Sequence, residues 1–237
     1  MLWLFFLSCI LGYEEEGSLT TLSIEQTYAA HYHNYSKAIN SSLKISVFDG
    51  DFREVGHGSG NHFKIGKHRF VMTAAHVVSD PDFLVYVAVD GIYIRLDVAL
   101  LDETNDIAIL IPAMELKNNK PTDYRTNKQL DITGLAVVHA GYPSDLGLSV
   151  FHGTVASCSP ISMMMQSFAL PGSSGSVVFD NKGRVVGVLS ALKMGMYGYS
   201  PYPQIHPGLV YVSRVNKYSR YDIEEIIVKW KTSKSEH

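Results

Sequence analysis

Cysteine is nearly absent: Cys9 and Cys158 are the only two in 237 residues, so no framework of disulfides can hold this fold together. Stability must come from packing. Charge of one sign is lacking too, because 20 Lys and Arg are met by 23 Asp and Glu for a formal net charge of -3. Without a broad basic field there is nothing to hold a phosphate backbone, and nucleic acid is not an expected partner. No internal repeat and no low-complexity segment is present, which excludes a repeat architecture. The one long apolar run, residues 1–12 (MLWLFFLSCILG), is shorter than the ~20 residues that a membrane-spanning helix needs, and Glu14, Glu15 and Glu16 follow it. Residues 1–16 read as an export signal, with a buried or membrane-dipping strand as the alternative. Any membrane association is expected through this leader alone. If it functions, the protein is periplasmic or secreted; virion-associated and intracellular locations are the alternatives.

What is present is the composition of an ordinary globular protein: 46% hydrophobic and 18% charged residues, with 19 Gly and 9 Pro. The chain is long enough for one large all-β domain or two small halves that share an interface. Leu22 to Ser42 carries Tyr28, Tyr32 and Ala38 at rough helical spacing, which predicts a short leading helix. From Lys44 onward, short β-branched and aromatic runs alternate with Gly, Asp and Asn, the pattern of an all-β fold. Strands are predicted over Lys44–Phe48, His62–Ile65, Phe70–Thr73, Phe83–Val89, Ile92–Leu101 and Ile107–Ile111. A polar stretch, Lys117–Lys128, interrupts the pattern and divides the chain into halves at 17–119 and 120–237. The second half has predicted strands over Leu135–Ala140, Ser149–Ser157, Ser162–Phe168, Ser176–Phe179, Val185–Ser190 and Leu209–Val212. Asp180-Asn181-Lys182-Gly183 marks a hairpin. Ile223, Ile226, Ile227 and Trp230 then fall on one face of a terminal amphipathic helix.

Three segments carry chemistry. Pro171-Gly172-Ser173-Ser174-Gly175-Ser176 is a glycine-rich turn leading into an apolar strand, a setting that exposes a serine hydroxyl beside backbone N–H donors. Val71-Met72-Thr73-Ala74-Ala75-His76 places a histidine just past a strand, preceded by two alanines small enough for close packing. Asn105-Asp106-Ile107-Ala108-Ile109-Leu110 sets one carboxylate at the head of a wholly apolar strand, where it needs a partner. A neutral imidazole N–H supplies one, fixing the tautomer of the ring.

Taken together, TAAHV, NDIAIL and GSSGS resemble the histidine, aspartate and serine motifs of trypsin-like peptidases. The intervals, 30 residues from His76 to Asp106 and 68 from Asp106 to Ser174, are similar to those of the HtrA/Deg branch. Ala140-Gly141-Tyr142-Pro143, Gly153-Thr154-Val155 and Gly183-Arg184-Val185-Val186-Gly187-Val188 resemble that branch's connecting segments. The resemblance covers residues 44 to 215 and implies two antiparallel β-barrels with the active site between them. It implies His76, Asp106 and Ser174 as catalytic triad of a serine endopeptidase, and the amides of Gly172 and Ser174, with Ser173 as a third donor, as oxyanion hole. Ser190, Ala191 and Leu192 correspond to the strand edge that pairs with substrate backbone, and Phe168 and Leu170 lie near the primary specificity pocket. The expected partner is a protein or peptide substrate with an uncharged residue before the scissile bond, and no cofactor is implied.

The sequence departs from that pattern at Ser173, where the branch usually has Asn or Asp, and at Ser176, where it usually has Gly. A Cβ at 176 lies close to the nucleophile turn and raises the expectation of a reshaped oxyanion hole. The chain ends soon after the terminal helix, so the PDZ domain of many HtrA-type members is not expected. Many of those members are trimers through N-terminal contacts, which leaves an oligomer open here. The competing reading from another class is a catalytically silent double barrel with a binding or structural role, for instance in a virion or envelope. His57, His62 and His68 precede His76, but their spacing fits no compact ligand motif and no metal site is expected. Met163, Met164 and Met165 read as core and pocket lining. Tyr197, Tyr199 and Tyr202 either contact substrate or pack within their own loop.

Overall fold

The structure, a computed structural model, describes residues 35–195 and 204–235. A helical segment, α1, covers residues 35–41; the rest of the predicted leading helix, the leader and Tyr197, Tyr199 and Tyr202 lie outside the described residues. Six strands follow: β1 (Ser42–Phe48), β2 (Glu54–Ile65), β3 (His68–Thr73), β4 (Leu84–Val89), β5 (Ile92–Asp102) and β6 (Ile107–Pro112), with a one-turn helix α2 (Ala75–Val78) after β3. They pair antiparallel in the order β1-β4-β5-β6-β3-β2, and the β1–β2 pairing closes them into a barrel. A two-residue strand, β7 (Thr122–Asp123), adds to β2 in parallel. The second barrel is β8 (Ala136–Gly141), β9 (Ser149–Cys158), β10 (Ser162–Ser167), β11 (Val177–Asp180), β12 (Val185–Gly195) and β13 (Gln204–Arg214), closed in the order β10-β13-β12-β11-β8-β9. Helix α3 (Arg220–Ser235) ends the described chain. The all-β, two-barrel expectation holds, and the terminal helix is where Ile223 and Ile227 required it: both are fully buried.

Alternation explains the cores. Ile45, Val71, Val87, Ile94, Leu96 and Leu110 point into the first barrel, and Val137, Val155, Met163, Met165, Val178, Val210 and Val212 into the second. Each is a strand residue, and its neighbours in sequence face the other way. A third core, including Phe63, Phe70, Tyr124, Val138, Ala140, Val177, Phe179 and Ile223, lies between the barrels and under α3. Phe63 stacks on Phe70 at a centroid distance of 5.6 Å, and Tyr124 meets both rings edge-on. This aromatic layer welds the two halves. Ser219 caps α3 reciprocally, its N–H donating to Asp222 Oδ2 at 2.7 Å while its Oγ accepts from the Asp222 N–H at 3.3 Å.

One buried polar group in the second barrel sets a pH dependence. Ser167 Oγ donates to the His152 carbonyl at 2.7 Å, so the 3.3 Å contact between the same oxygen and His139 Nε2 requires the imidazole to be the donor. His139 Nδ1 is then a buried lone pair with no hydrogen-bond partner. Protonating it would bury a charge, and burial, only partly offset by the Phe168 backbone, pushes the His139 imidazole down to about 4. Unfolded, the ring takes up its proton near pH 6.5; folded, it does not until about pH 4. Stability is therefore complete above pH 6.5 and falls as the pH drops toward 4, by roughly 3 kcal/mol from this group. Urea unfolding of wild type and His139→Leu at pH 7 and pH 4.5 should show a smaller acid loss in the variant; equal losses would contradict it.

Candidate active site

Each motif residue sits where its local structure aims it. His76 lies on α2, directly after β3, with Ala74 and Ala75 buried beneath it. Asp106 ends the turn between β5 and β6 with φ +49°, the left-handed region that only Gly, Asn and Asp visit readily. That backbone turns the carboxylate back over the barrel rim. His76 Nδ1 is 2.9 Å from both Asp106 oxygens, and the His76 N–H donates to Oδ1 at 2.9 Å. Nδ1 therefore carries the ring proton and Nε2 presents its lone pair on the opposite side. The Ser190 hydroxyl also donates to Asp106 Oδ2. Burial works against ionisation of Asp106, but the hydrogen bonds from His76 and Ser190 outweigh it and hold the carboxyl below its ordinary range.

Ser174 enters from the second barrel and shares one cleft with His76. Val47, Val55, His57, Val77, Asp80 and Phe83 line the same cleft. The Ser174 hydroxyl donates to the Ser190 carbonyl over a long 3.4 Å; among the described residues it makes no hydrogen bond to His76. The backbone around it is held from the first barrel by Ser59. Ser59 N–H donates to the Ser174 carbonyl at 2.7 Å, and Ser59 Oγ donates to the Gly172 carbonyl at 2.7 Å while accepting from Tyr142 N–H at 2.8 Å. With both carbonyls of the turn tied down, the amides of Gly172 and Ser174 donate to no protein acceptor among the described residues. Ser59 was not singled out from sequence. Its signal is the tripeptide Gly58-Ser59-Gly60, where a Cβ at Gly58 would lie 2.7 Å from Val77 and 3.1 Å from the Ser174 carbonyl oxygen.

Ser173 requires a correction. Its N–H, expected as a third oxyanion donor, turns back to the Leu170 carbonyl at 2.9 Å, while its buried hydroxyl accepts from Leu170 N–H at 3.1 Å. The 170–173 loop closes on itself and leaves that amide no outward direction. Ser176, expected to crowd the nucleophile turn, is fully buried. Its Oγ occupies the space that Gly141 leaves open, where a Cβ would come within 2.1 Å of it, and makes no hydrogen bond among the described residues.

The specificity candidates are spread differently. Phe168 is half exposed, its ring 5.6 Å from that of Phe151, and Leu170 is partly buried. Ser190 joins the site through its side chain, which sequence reasoning had placed only on the strand edge. Ala191 and Leu192 pair with Tyr211 and Val210 of β13. β11 pairs with β12 only as far as Val188, so among the described residues the other edge of β12 carries no strand at 190–192. His62 bonds Asn119 through Nδ1 at 3.0 Å and His68 meets Glu224 at 3.7 Å, both away from the cleft.

Two closed six-stranded barrels with polar residues gathered at their junction define the class of double-barrel peptidase folds. The sequence profile of the trypsin-like peptidase domain matches residues 58–188, and the chain belongs to that family. A probable periplasmic serine endoprotease, DegP-like, of Bartonella henselae is 28% identical over 169 residues, covering 68% of this chain and 32% of the relative. Protease Do-like 1, chloroplastic, of Arabidopsis thaliana is 26% identical over 175 residues, covering 68% and 38%. The chain thus spans about a third of the length of the curated relatives it matches. Among solved structures, the serine endoprotease from Yersinia pestis superposes with a TM-score of 0.62 at 18% identity, over 83% of this chain and 66% of that one. The active form of the Rv3671c protease from M. tuberculosis gives a TM-score of 0.62 at 19% identity, over 79% and 81%.

Proposed function

We propose that this chain is a serine endopeptidase that hydrolyses protein or peptide substrates through Ser174, His76 and Asp106 and an acyl-enzyme intermediate. The observation that carries the reading is the carboxylate of Asp106 on His76 Nδ1, because it leaves Nε2 as a free base beside a serine hydroxyl in one cleft. Ser174 Oγ attacks the substrate carbonyl carbon as Nε2 takes its proton, and the negative charge that develops on the carbonyl oxygen is met by the amides of Gly172 and Ser174. The imidazolium, stabilised by Asp106, returns the proton to the leaving amine, and water then releases the acyl group by the same steps in reverse. The Ser174 hydroxyl turns to the Ser190 carbonyl instead of to His76, so the reaction requires it to swing to Nε2 when substrate binds. Hydrogen bonds of catalytic groups commonly form or tighten only around bound substrate.

The unpaired edge of β12 at Ser190, Ala191 and Leu192 suits substrate backbone, which would add there as a further strand. Export of the chain is part of the proposal, supported by relatives named periplasmic. Among the described residues no helix is long and apolar enough to cross a membrane. A fluorophosphonate probe should label the wild-type protein covalently and leave Ser174→Ala unlabelled, read by mass spectrometry of the intact chain. Absence of labelling in both proteins would favour the silent double barrel instead.

A further inference from the structure

Asp102, four residues before Asp106 and at the end of β5, gathers an unusual number of donors. Asn105 gives it the backbone N–H at 3.2 Å and the side-chain amide at 3.0 Å to each oxygen. Lys217 Nζ and the Tyr218 hydroxyl both donate to Oδ2. Burial opposes ionisation here, yet the hydrogen bonds from Lys217, Tyr218 and Asn105 prevail and hold the carboxyl far below the usual carboxylate range. Lys217 and Tyr218 belong to the segment that leaves the second barrel for α3, so this carboxylate joins the Asp106 turn to the far end of the other half.

The turn needs such support. Asp106 is held in the left-handed region, and its own N–H reaches the Glu103 carbonyl over 3.3 Å, a weak bond for a strained position. The pins that fix the turn are the three contacts from Asn105 to Asp102. The departing segment has a second, independent tether in the Tyr124 hydroxyl, which donates to the Tyr218 carbonyl at 2.9 Å. Two tyrosine hydroxyls therefore hold one segment, and only that of Tyr218 touches the Asp106 turn.

We infer that Asp102 is a positioning residue: by holding Asn105, and by being held itself through Tyr218 and Lys217, it keeps the Asp106 carboxylate aimed at His76. This rests on the triad reading of the site. The substitution that tests it is Tyr218→Phe, which keeps the ring and deletes one hydroxyl. With the turn loosened, Asp106 stabilises the His76 imidazolium less. The ring's titration, followed by NMR, should move to lower pH by about half a unit, and kcat should fall about tenfold with KM unchanged. The other ionisable groups around His76 are His57 and Asp80 across the cleft, which the substitution does not touch. Tyr124→Phe loses a hydrogen bond to the same segment and lowers its stability, but should leave both the titration and kcat where they were. Lys217→Met, at a half-exposed position, should shift the titration in the same direction by less, and serves if Tyr218→Phe does not fold. A shift with Tyr218→Phe and none with Tyr124→Phe supports the inference; equal shifts, or none, overturn it. The NMR titration reads the positioning effect even in a protein that fails to hydrolyse anything, whereas loss of fluorophosphonate labelling in the wild type would strike the triad reading alone.

Discussion

Asp106→Asn should lower kcat/KM by three to four orders of magnitude, about the loss that follows when a triad carboxylate becomes an amide, while the fold survives. In the wild type, Asp106 accepts from His76 Nδ1, from the His76 N–H and from the Ser190 hydroxyl. An amide offers one oxygen to these donors. If its nitrogen turns toward the ring it fixes the wrong tautomer, with the proton on Nε2 and no base for Ser174. If the oxygen turns toward the ring the tautomer is kept, but no negative charge opposes the imidazolium as it forms. Both orientations remove transition-state stabilisation and neither removes packing, since the two side chains have nearly the same shape. Because hydrogen bonds hold the Asp106 carboxyl below its ordinary range, the carboxylate stays ionised well into acid. The measurement is kcat/KM on a peptide substrate together with thermal unfolding of both proteins. A loss smaller than about tenfold would remove Asp106 from the mechanism.

Much of this architecture was legible because strands with one buried face write their alternation into the sequence. Ile45, Val87 and Leu110 announce the first barrel, and Met163 and Met165, separated by Met164 on the other face, announce the second. The first half of β2 was not legible. Glu54 to Asn61 has three glycines and almost no apolar residue, so neither period stands out. The structure gives the reason at two of the three: Gly58 passes so close to α2 and the nucleophile turn, and Gly60 to β1 and β3, that a side chain would collide, whereas Gly56 has open space around it. Helix α2, a single turn, is too short for any period to register. The proposed triad residues were candidates from sequence because each sits in a motif that is contiguous in sequence, and the structure pairs two of them, His76 and Asp106. The roles of Ser59, Ser190 and Asp102 could not be read this way, for they depend on partners lying 113, 84 and 116 residues away. The Ser173 amide, bonded to the Leu170 carbonyl, departs from the expected outward direction for a related reason. Its direction is decided by the closure of the loop on Leu170, which composition does not reveal.

That closeness between the barrels yields the most severe substitution expected, Gly175→Ala. A Cβ at 175 would lie 2.1 Å from the Ser59 carbonyl oxygen, 2.2 Å from Thr73 Oγ1 and 3.1 Å from Ala74 N. None of these can step aside easily. The first and third are backbone, and Thr73 Oγ1 is engaged in a 2.7 Å hydrogen bond to that same Ser59 carbonyl. Gly175 is also fixed from behind, where its N–H donates to the Leu189 carbonyl at 2.8 Å, and its φ of +88° disfavours any side chain. Relief requires the nucleophile turn to withdraw from the first barrel, which should cost upward of about 3 kcal/mol. The same withdrawal draws Ser174 away from His76, and a displacement near 1 Å lowers the rate about a hundredfold. Gly134→Ala separates conformational strain from collision. Gly134 also has positive φ, +82°, but a Cβ there meets nothing within 4 Å, so only the conformational term of roughly 1 kcal/mol is lost. Urea midpoints and kcat/KM for the two variants decide the matter. If Gly175→Ala is no less stable than Gly134→Ala and equally active, the two barrels are not in the tight contact on which the geometry of this cleft depends.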